Sequence, residues 1–271
     1  MLIVHRAERA DRLVDALAAV VSEPLDDPFV AEVVSVPTRG IERWLSQRLS
    51  NTLGASAGRH DGVCANIAFP FPGRLVGAAL QSVTGVDPAT DPWAVERAVW
   101  PLLDVIDATL DEPWMRTLRN HLRSADDDTA PDRRFAAARH LADLYDRYAV
   151  HRPEMVAAWA SGGDDDESGE RLPGDLAWQA ILWRRLRSRL GVPSPAERFR
   201  PALARLRAEP SQIDLPARLT VFGVTRLAPT VLAVLDALAT ARDVHLMALH
   251  PSPALWDRGG GAARHLSLIH I

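Results

Sequence analysis

Lysine is missing from this sequence: all 31 basic side chains are arginine. GC-rich coding accounts for such a bias, but the chemical consequence holds whatever its origin. A Walker-type phosphate loop needs a lysine to reach the β- and γ-phosphates, and Schiff-base catalysis needs a lysine amine. Neither can be supplied here. Cysteine is nearly missing too. Cys64 stands alone, which excludes a disulfide within the chain and predicts a reducing, cytoplasmic setting. No apolar run approaches the roughly 18 residues of a membrane span, so no membrane partner is expected. The opening MLIVHRAERADRL turns charged too early for a secretory signal.

What is present is enough apolar residue, 47% of 271, to bury one large domain or two modest ones. The net charge of −4 predicts no bulk attraction to nucleic acid. Charge is unevenly placed, however, with DDDE at 164–167 and RRLRSR at 184–189.

The stretch VVSVPTRGIERWLSQRLS, 33–50, reads as strand, turn and helix. That unit holds phosphate in nucleotide-binding enzymes. It has a companion in the strand 2–5 and the helix 7–21, with Leu13, Ala16, Leu17 and Val20 on one face. Two such units in succession argue for a parallel sheet. A loop at 54–63 leads to a short extended run, VCANIAFPFP, ended by Pro70 and Pro72, with no helix expected before Gly73. Helical periodicity then dominates, over 74–84, 92–109, 113–124, 132–149, 153–160, 174–190 and 195–207. Asp91-Pro92 and Ser194-Pro195 read as N-cap and first-turn pairs. Strand, helix and strand return over 219–223, 230–239 and 244–249. Trp44, Leu45, Phe69 and Leu219 fall on the apolar faces of these elements and are expected in the core. The pattern predicts an α/β fold: 1–85 begin it, an all-α domain over 86–210 is inserted, and 211–271 resume it. After Trp256 and the run Gly259 to Gly261 the chain stops soon after the sheet resumes. It is expected to be a fragment of a longer protein, with the closing SLIHI a candidate for non-native sequence.

Few motifs carry chemistry. GASAG, 54–58, fits the G-x-S-x-G elbow with Ser56 as nucleophile, but an elbow needs a buried strand before it and a helix after it. A loop of small residues explains it better than a hydrolase site. The nine histidines show no metal-ligand spacing, so neither a metal nor a catalytic residue is assigned. His245 and His250 are expected to flank a strand. The acidic run Asp164 to Glu167 reads as a solvated loop rather than a cation site. The strand LTVFG lacks the Asp-Glu pair that closes the matching strand of an ATP-driven helicase, so no cofactor is expected on this chain. In LYDRYAVHRP, 144–153, both tyrosines of the chain, Tyr145 and Tyr148, mix with Asp146, Arg147 and Arg152. Aromatic stacking on bases and ordinary packing at a helix end explain this equally well.

Five phrases resemble, in this order, the N-terminal part of the RecC family, the gamma subunits of the RecBCD helicase–nuclease, exodeoxyribonuclease V. They are LDDPFVAEVVSVPTRGIERWLSQRLS, ANIAFPFPGRLV, LADLYDRYAVHRPEMVAAW, AWQAILWRRL and LTVFGVTRLAPTVLAVLDAL, and the likeness runs from residue 1 to roughly 257. The resemblance implies a RecA-like parallel sheet domain, similar to a superfamily-one helicase without its ATPase motifs, carrying an inserted helical domain. It implies a non-catalytic subunit that binds RecB-like and RecD-like partners, which hold the ATP and magnesium. Single-stranded DNA and duplex ends would be its other partners, with the 3′ strand guided through a tunnel and scanned for a Chi-like sequence. By motif, the DNA-binding positions it implies are Pro37, Thr38, Arg39, Arg43 and Phe71, with Asp143, Leu144, Asp146 and Arg152. Arg39 and Arg43 also carry a physical argument. Positive charge at a helix start opposes the helix dipole by ~0.3–1 kcal/mol unless an anion is near.

Overall fold

The computed structural model describes residues 1–123, 130–166, 168–250, 252 and 267–270, with backbone alone at 123, 130–132 and 267–270. The chain divides into two compact units, Met1–Val83 with Leu203–Ile271, and Thr84–Ala202.

The first unit is built on six parallel strands: β1 (Leu2–Ala7), β2 (Glu32–Ser35), β3 (Ile67–Ala68), β4 (Arg218–Val224), β5 (Asp243–Leu249) and β6 (Ser267–His270). Their order across the sheet is β3-β2-β4-β5-β1-β6. Register pairs such as Val33 with Leu219 and Leu219 with Val244 align the strands. Both faces are buried, as all-parallel sheets require. Val34, Val36, Phe222 and Met247 on one face pack with Leu13 and Leu17 of α1 (Ala10–Ser22) and with Leu45 and Leu49 of α2 (Arg39–Leu49). Leu2, Val4, Leu219, Val221 and Val244 are buried as well. Two further helices belong to this unit, α3 (Pro72–Thr84) and α10 (Pro229–Leu238), with Leu235 and Leu238 of α10 fully buried.

Between them in sequence come α4 (Val95–Thr109), α5 (Arg116–Arg123), α6 (Ala130–His151), α7 (Pro153–Ala160), α8 (Trp178–Leu190) and α9 (Pro195–Ala208). The helical unit closes around tryptophan. Trp93 stacks on Trp183 with ring centroids 5.5 Å apart, and Trp159 meets Trp183 edge-on at 6.3 Å. Local chemistry sets the helix ends. Arg152 precedes Pro153 and is driven out of helical geometry, with φ −138° and ψ 51°, which separates α6 from α7. Gly191 stops α8 in the left-handed conformation at φ 71°. Ser194 and Glu197 cap α9 reciprocally. The Glu197 N–H donates to Ser194 Oγ at 3.3 Å, and the Ser194 N–H donates to Glu197 Oε2 at 2.8 Å.

Several expectations are corrected. Asp91-Pro92 does not cap α4, which begins at Val95; Asp91 instead accepts the Trp93 N–H at 3.0 Å and pairs with Arg198. Pro72 does not oppose a helix but starts α3, where its missing N–H costs nothing. The extended run before it yields only two residues of strand. His245 does not flank β5 but lies inside it, buried. The acidic run is not merely solvated: Asp164 pairs with Arg184 at 2.7 Å, and Asp166 accepts the Ser168 N–H at 2.8 Å. Leu45 and Leu219 are fully buried, but Trp44 and Phe69 are only partly so. No strand was expected at 267–270, yet β6 pairs parallel with β1 there. Glu167, residue 124, Trp256 and Gly259 to Gly261 lie outside the described residues. No helix among the described residues is long and apolar enough to cross a membrane.

Candidate nucleic-acid interface

The turn after β2 is a helix start built by Thr38. Its Oγ1 accepts the Ile41 N–H at 3.2 Å, and its carbonyl accepts the Glu42 N–H at 3.1 Å. That cap fixes where α2 begins, and so places Arg39 and Arg43 one turn apart on one helix face. Both are exposed, and neither guanidinium has a hydrogen bond or ion pair among the described residues. Pro37 is exposed beside them.

Phe71 joins this group through the backbone. The Val36 N–H donates to the Pro70 carbonyl at 3.0 Å, which ties the end of β2 to the segment after β3. Phe71 is 39% exposed there, and its carbonyl accepts the Arg74 N–H at 2.9 Å to open α3. Pro37, Thr38, Arg39, Arg43 and Phe71 therefore gather at the C-terminal ends of β2 and β3, the usual ligand edge of a parallel sheet.

Two further residues belong to that edge. Arg74 lies in the first turn of α3, and Arg226 in the turn between β4 and α10. Both are exposed and without an ion pair among the described residues. The only sequence signal was an arginine shortly after each strand end. Their common location emerges once β2, β3 and β4 are neighbours. The corresponding turn after β1 is different. Arg9 forks onto Asp11, at 3.0 Å and 2.6 Å, so its charge is already matched.

The other four positions lie on the helical unit, and the structure separates them by role. Asp143 pairs with Arg147 one turn on. Leu144 is half-buried and lines a cavity beside α5. Asp146 is exposed, and its carboxyl is held above the usual range, first by desolvation and then by the charges of Asp143 and Glu96. Arg152 lies over the Tyr148 ring, 5.6 Å from its centroid. Tyr145 is buried and donates to the Gln179 carbonyl at 2.9 Å, while Tyr148 donates to Gln179 Oε1 at 3.1 Å. Both rings meet Trp159 edge-on, at 6.5 Å and 5.8 Å. Of the two explanations open for this aromatic cluster, packing holds for Tyr145, which has no face free for a base.

Ser56 sits in an exposed loop after α2, with its hydroxyl 3.1 Å from Asp61 Oδ2. No strand leads into it, so it lacks the elbow that would raise a nucleophile. Among the described residues no group of three or more histidine, cysteine or acidic side chains could hold a metal ion.

A parallel α/β unit with arginines along its ligand edge, followed in the chain by a tryptophan-cored helical unit, defines an α/β protein of two units. Over residues 2–267 the chain matches the family described as RecC, N-terminal domain, and it belongs to that family. It is 50% identical over 260 residues to the RecBCD enzyme subunit RecC of Mycobacterium tuberculosis (strain ATCC 25618 / H37Rv), a match covering 94% of this chain and 23% of that protein. The subunit of the same name from Mycolicibacterium smegmatis is 45% identical, with 94% and 22% covered. That of Escherichia coli K12 is 30% identical over 265 residues, with 94% and 22% covered. The chain thus spans less than a quarter of the length of these relatives.

Proposed function

We propose that this chain is a non-catalytic, DNA-guiding and scaffolding part of an ATP-dependent helicase–exonuclease that acts in double-strand break repair and recombination. In this reading the sheet unit is a RecA-like domain without an ATP site, and the helical unit is inserted into it. RecB-like and RecD-like subunits carry the ATP, the magnesium and the chemistry. The relatives' shared name as subunits of the RecBCD enzyme supports the subunit role. The DNA role rests on one observation: Arg39 and Arg43 stand exposed and unpaired among the described residues at the start of α2, on the ligand edge of the sheet. A free cation at a helix start is unfavourable unless an anion is bound there. The phosphates of single-stranded DNA supply that anion, and Phe71 offers a face on which a base can stack. Asp143, Leu144, Asp146 and Arg152 are assigned to scanning the strand for a Chi-like sequence.

The test is single-strand binding by the assembled complex across a salt series. Arg39→Ala combined with Arg43→Ala should weaken binding and reduce the slope of log K against log salt by about 0.7 for each phosphate no longer neutralised. Asp143→Ala or Asp146→Ala should change sequence-dependent pausing with little loss of affinity. An unchanged slope would favour the second reading, a protein scaffold with no DNA contact. That reading draws on the exposure of Phe29, 91%, and Val63, 67%, in the sheet unit.

A further inference from the structure

The end of the sheet opposite the arginines carries exposed apolar side chains. Phe29 is 91% exposed and Val30 39%, in the loop that leads into β2, and Val63, 67% exposed, stands in the loop that leads into β3. β2 and β3 pair in parallel, so both loops lie at the N-terminal ends of their strands. Asn66 joins the two loops. Its side-chain amide donates to the Pro28 carbonyl at 3.2 Å and to the Val30 carbonyl at 3.1 Å, and its own carbonyl accepts the Glu32 N–H at 2.9 Å. A hollow of about 280 Å³ opens beside Val63, against Val21, Leu53 and Ile67.

The loop holds the Phe29 ring out in one place. The Asp27 carboxylate accepts the Phe29 N–H at 2.9 Å, and the Asp27 carbonyl accepts the Val30 N–H at 3.2 Å. Asn66, which clamps the loop from below, sits at φ 56°, a left-handed conformation that a non-glycine residue seldom adopts. A ring that only faces water needs no such fastening. A loop already fixed in this way loses little further freedom on docking, which suits an aromatic anchor that enters a pocket. Charge selects the kind of pocket. Glu23, Asp26 and Asp27 are exposed on the same loop. Arg218, which donates to the Glu23 carbonyl at 2.6 Å, is already paired with Glu32. Carboxylates around the ring repel the phosphates of DNA and of anionic lipid and attract arginine or lysine. An aromatic residue fringed by charge is the anatomy of a protein–protein contact.

We propose that this end of the sheet docks on another protein subunit of the complex, with Phe29 entering an apolar pocket whose rim carries arginine or lysine facing Glu23 and Asp26. The proposal rests on the subunit role proposed above and is independent of the proposed DNA path, which follows the opposite edge of the sheet. The experiment replaces Phe29 by the photo-cross-linker p-benzoylphenylalanine in the complete chain within the assembled complex. Mass spectrometry should map the adduct to an apolar segment of another subunit with Arg or Lys beside it. Phe29→Ala should raise the dissociation constant of the subunits about tenfold or more. The thermal midpoint of the unassembled subunit should stay unchanged, because the ring buries almost no surface in the fold. Glu23→Gln with Asp26→Asn should weaken assembly less and flatten its dependence on salt. An unchanged dissociation constant for Phe29→Ala, or an unchanged salt dependence for the charge pair, overturns the proposal. So do adducts with DNA or with the same polypeptide, or no adduct in an intact complex, and all of these leave the subunit role standing. Failure of the unmodified subunits to assemble overturns the subunit role and the docking site with it.

Discussion

His5 Nε2 lies 2.9 Å from His245 Nδ1, across the neighbouring strands β1 and β5. The rings are stacked with centroids 5.1 Å apart, and both residues are buried. One ring nitrogen must donate and the other accept, so the bond is made by neutral imidazole and is lost when both rings are charged.

Burial lowers the His245 pKa to about 4, with the His5 charge adding to the effect and Asp243 opposing it; burial also lowers His5. A histidine whose folded pKa lies below its unfolded value binds its proton more readily when unfolded. Its contribution is therefore complete above pH 6.5 and is lost as pH falls from there towards 4. Thermal unfolding of the native chain should show a falling midpoint over that window. His245→Gln should give a flatter profile there. Parallel profiles for the two proteins would mean that the pair titrates no differently in the folded state.

Leu45 and Trp44 are neighbours in α2 with unequal burdens. Leu45 is fully buried, so Leu45→Ala should cost about 2–5 kcal/mol. Trp44 is only partly buried; it tilts against Phe222 at a centroid distance of 6.4 Å and carries Arg48 over its ring at 5.9 Å. Trp44→Ala should therefore fall below the roughly 3–5 kcal/mol of a buried aromatic truncation. Chemical denaturation of both variants checks the order. A larger loss at Trp44 would reverse the packing assigned to this helix face.

Elements whose signal is local were legible in the sequence. The apolar run that opens the chain, the apolar spacing in α1 and α2, and Pro153 after Arg152 each carry their own geometry, and the α/β class with a parallel sheet follows from them. Relationships between distant residues were not legible. His5 and His245 are separated by 240 positions, and nothing near either one announces the other. Asp91-Pro92 has the local pattern of a cap, yet Asp91 is engaged by Trp93 and Arg198, and the helix starts later. Within the site, the turn around Thr38 was readable because an apolar run stops at Pro37 and an amphipathic helical run starts at Ile41; that Thr38 caps the helix was found only in the structure. Arg74 and Arg226 were not readable, because only the sheet order β3-β2-β4 makes their turns neighbours of that one.

The turn after β1 bears on ATP. A Walker-type nucleotide site there would need a lysine at the start of α1 to reach the phosphates. Instead the Arg9 guanidinium is held by Asp11 in the first turn, and the chain has no lysine. The purified chain should release no phosphate from ATP in the presence of magnesium. Turnover that disappears with Arg39→Ala would mean that the β2–α2 turn holds a nucleotide after all.

The arginines at the sheet edge allow the proposed DNA path to be tested residue by residue. Arg39 and Arg43 follow β2, Arg74 follows β3 and Arg226 follows β4, and these three strands are adjacent. None of the four guanidiniums has an ion pair among the described residues, whereas Arg9, after β1, is neutralised by Asp11. A strand of DNA running along this edge would meet the free cations in turn and gain little from the paired one. In the assembled complex, Arg74→Ala and Arg226→Ala should each weaken single-strand binding about threefold to tenfold at low salt. Each should also lower the salt slope by about 0.7, the value for one neutralised phosphate on a single strand. Arg9→Ala should leave the slope unchanged, since removing an already matched charge releases no additional counterion. If Arg74 and Arg226 prove silent while Arg39 and Arg43 do not, the strand touches α2 alone and leaves the sheet edge there. If Arg9 matters as much as the others, the response reflects net charge, and no path along β2, β3 and β4 is needed to explain it.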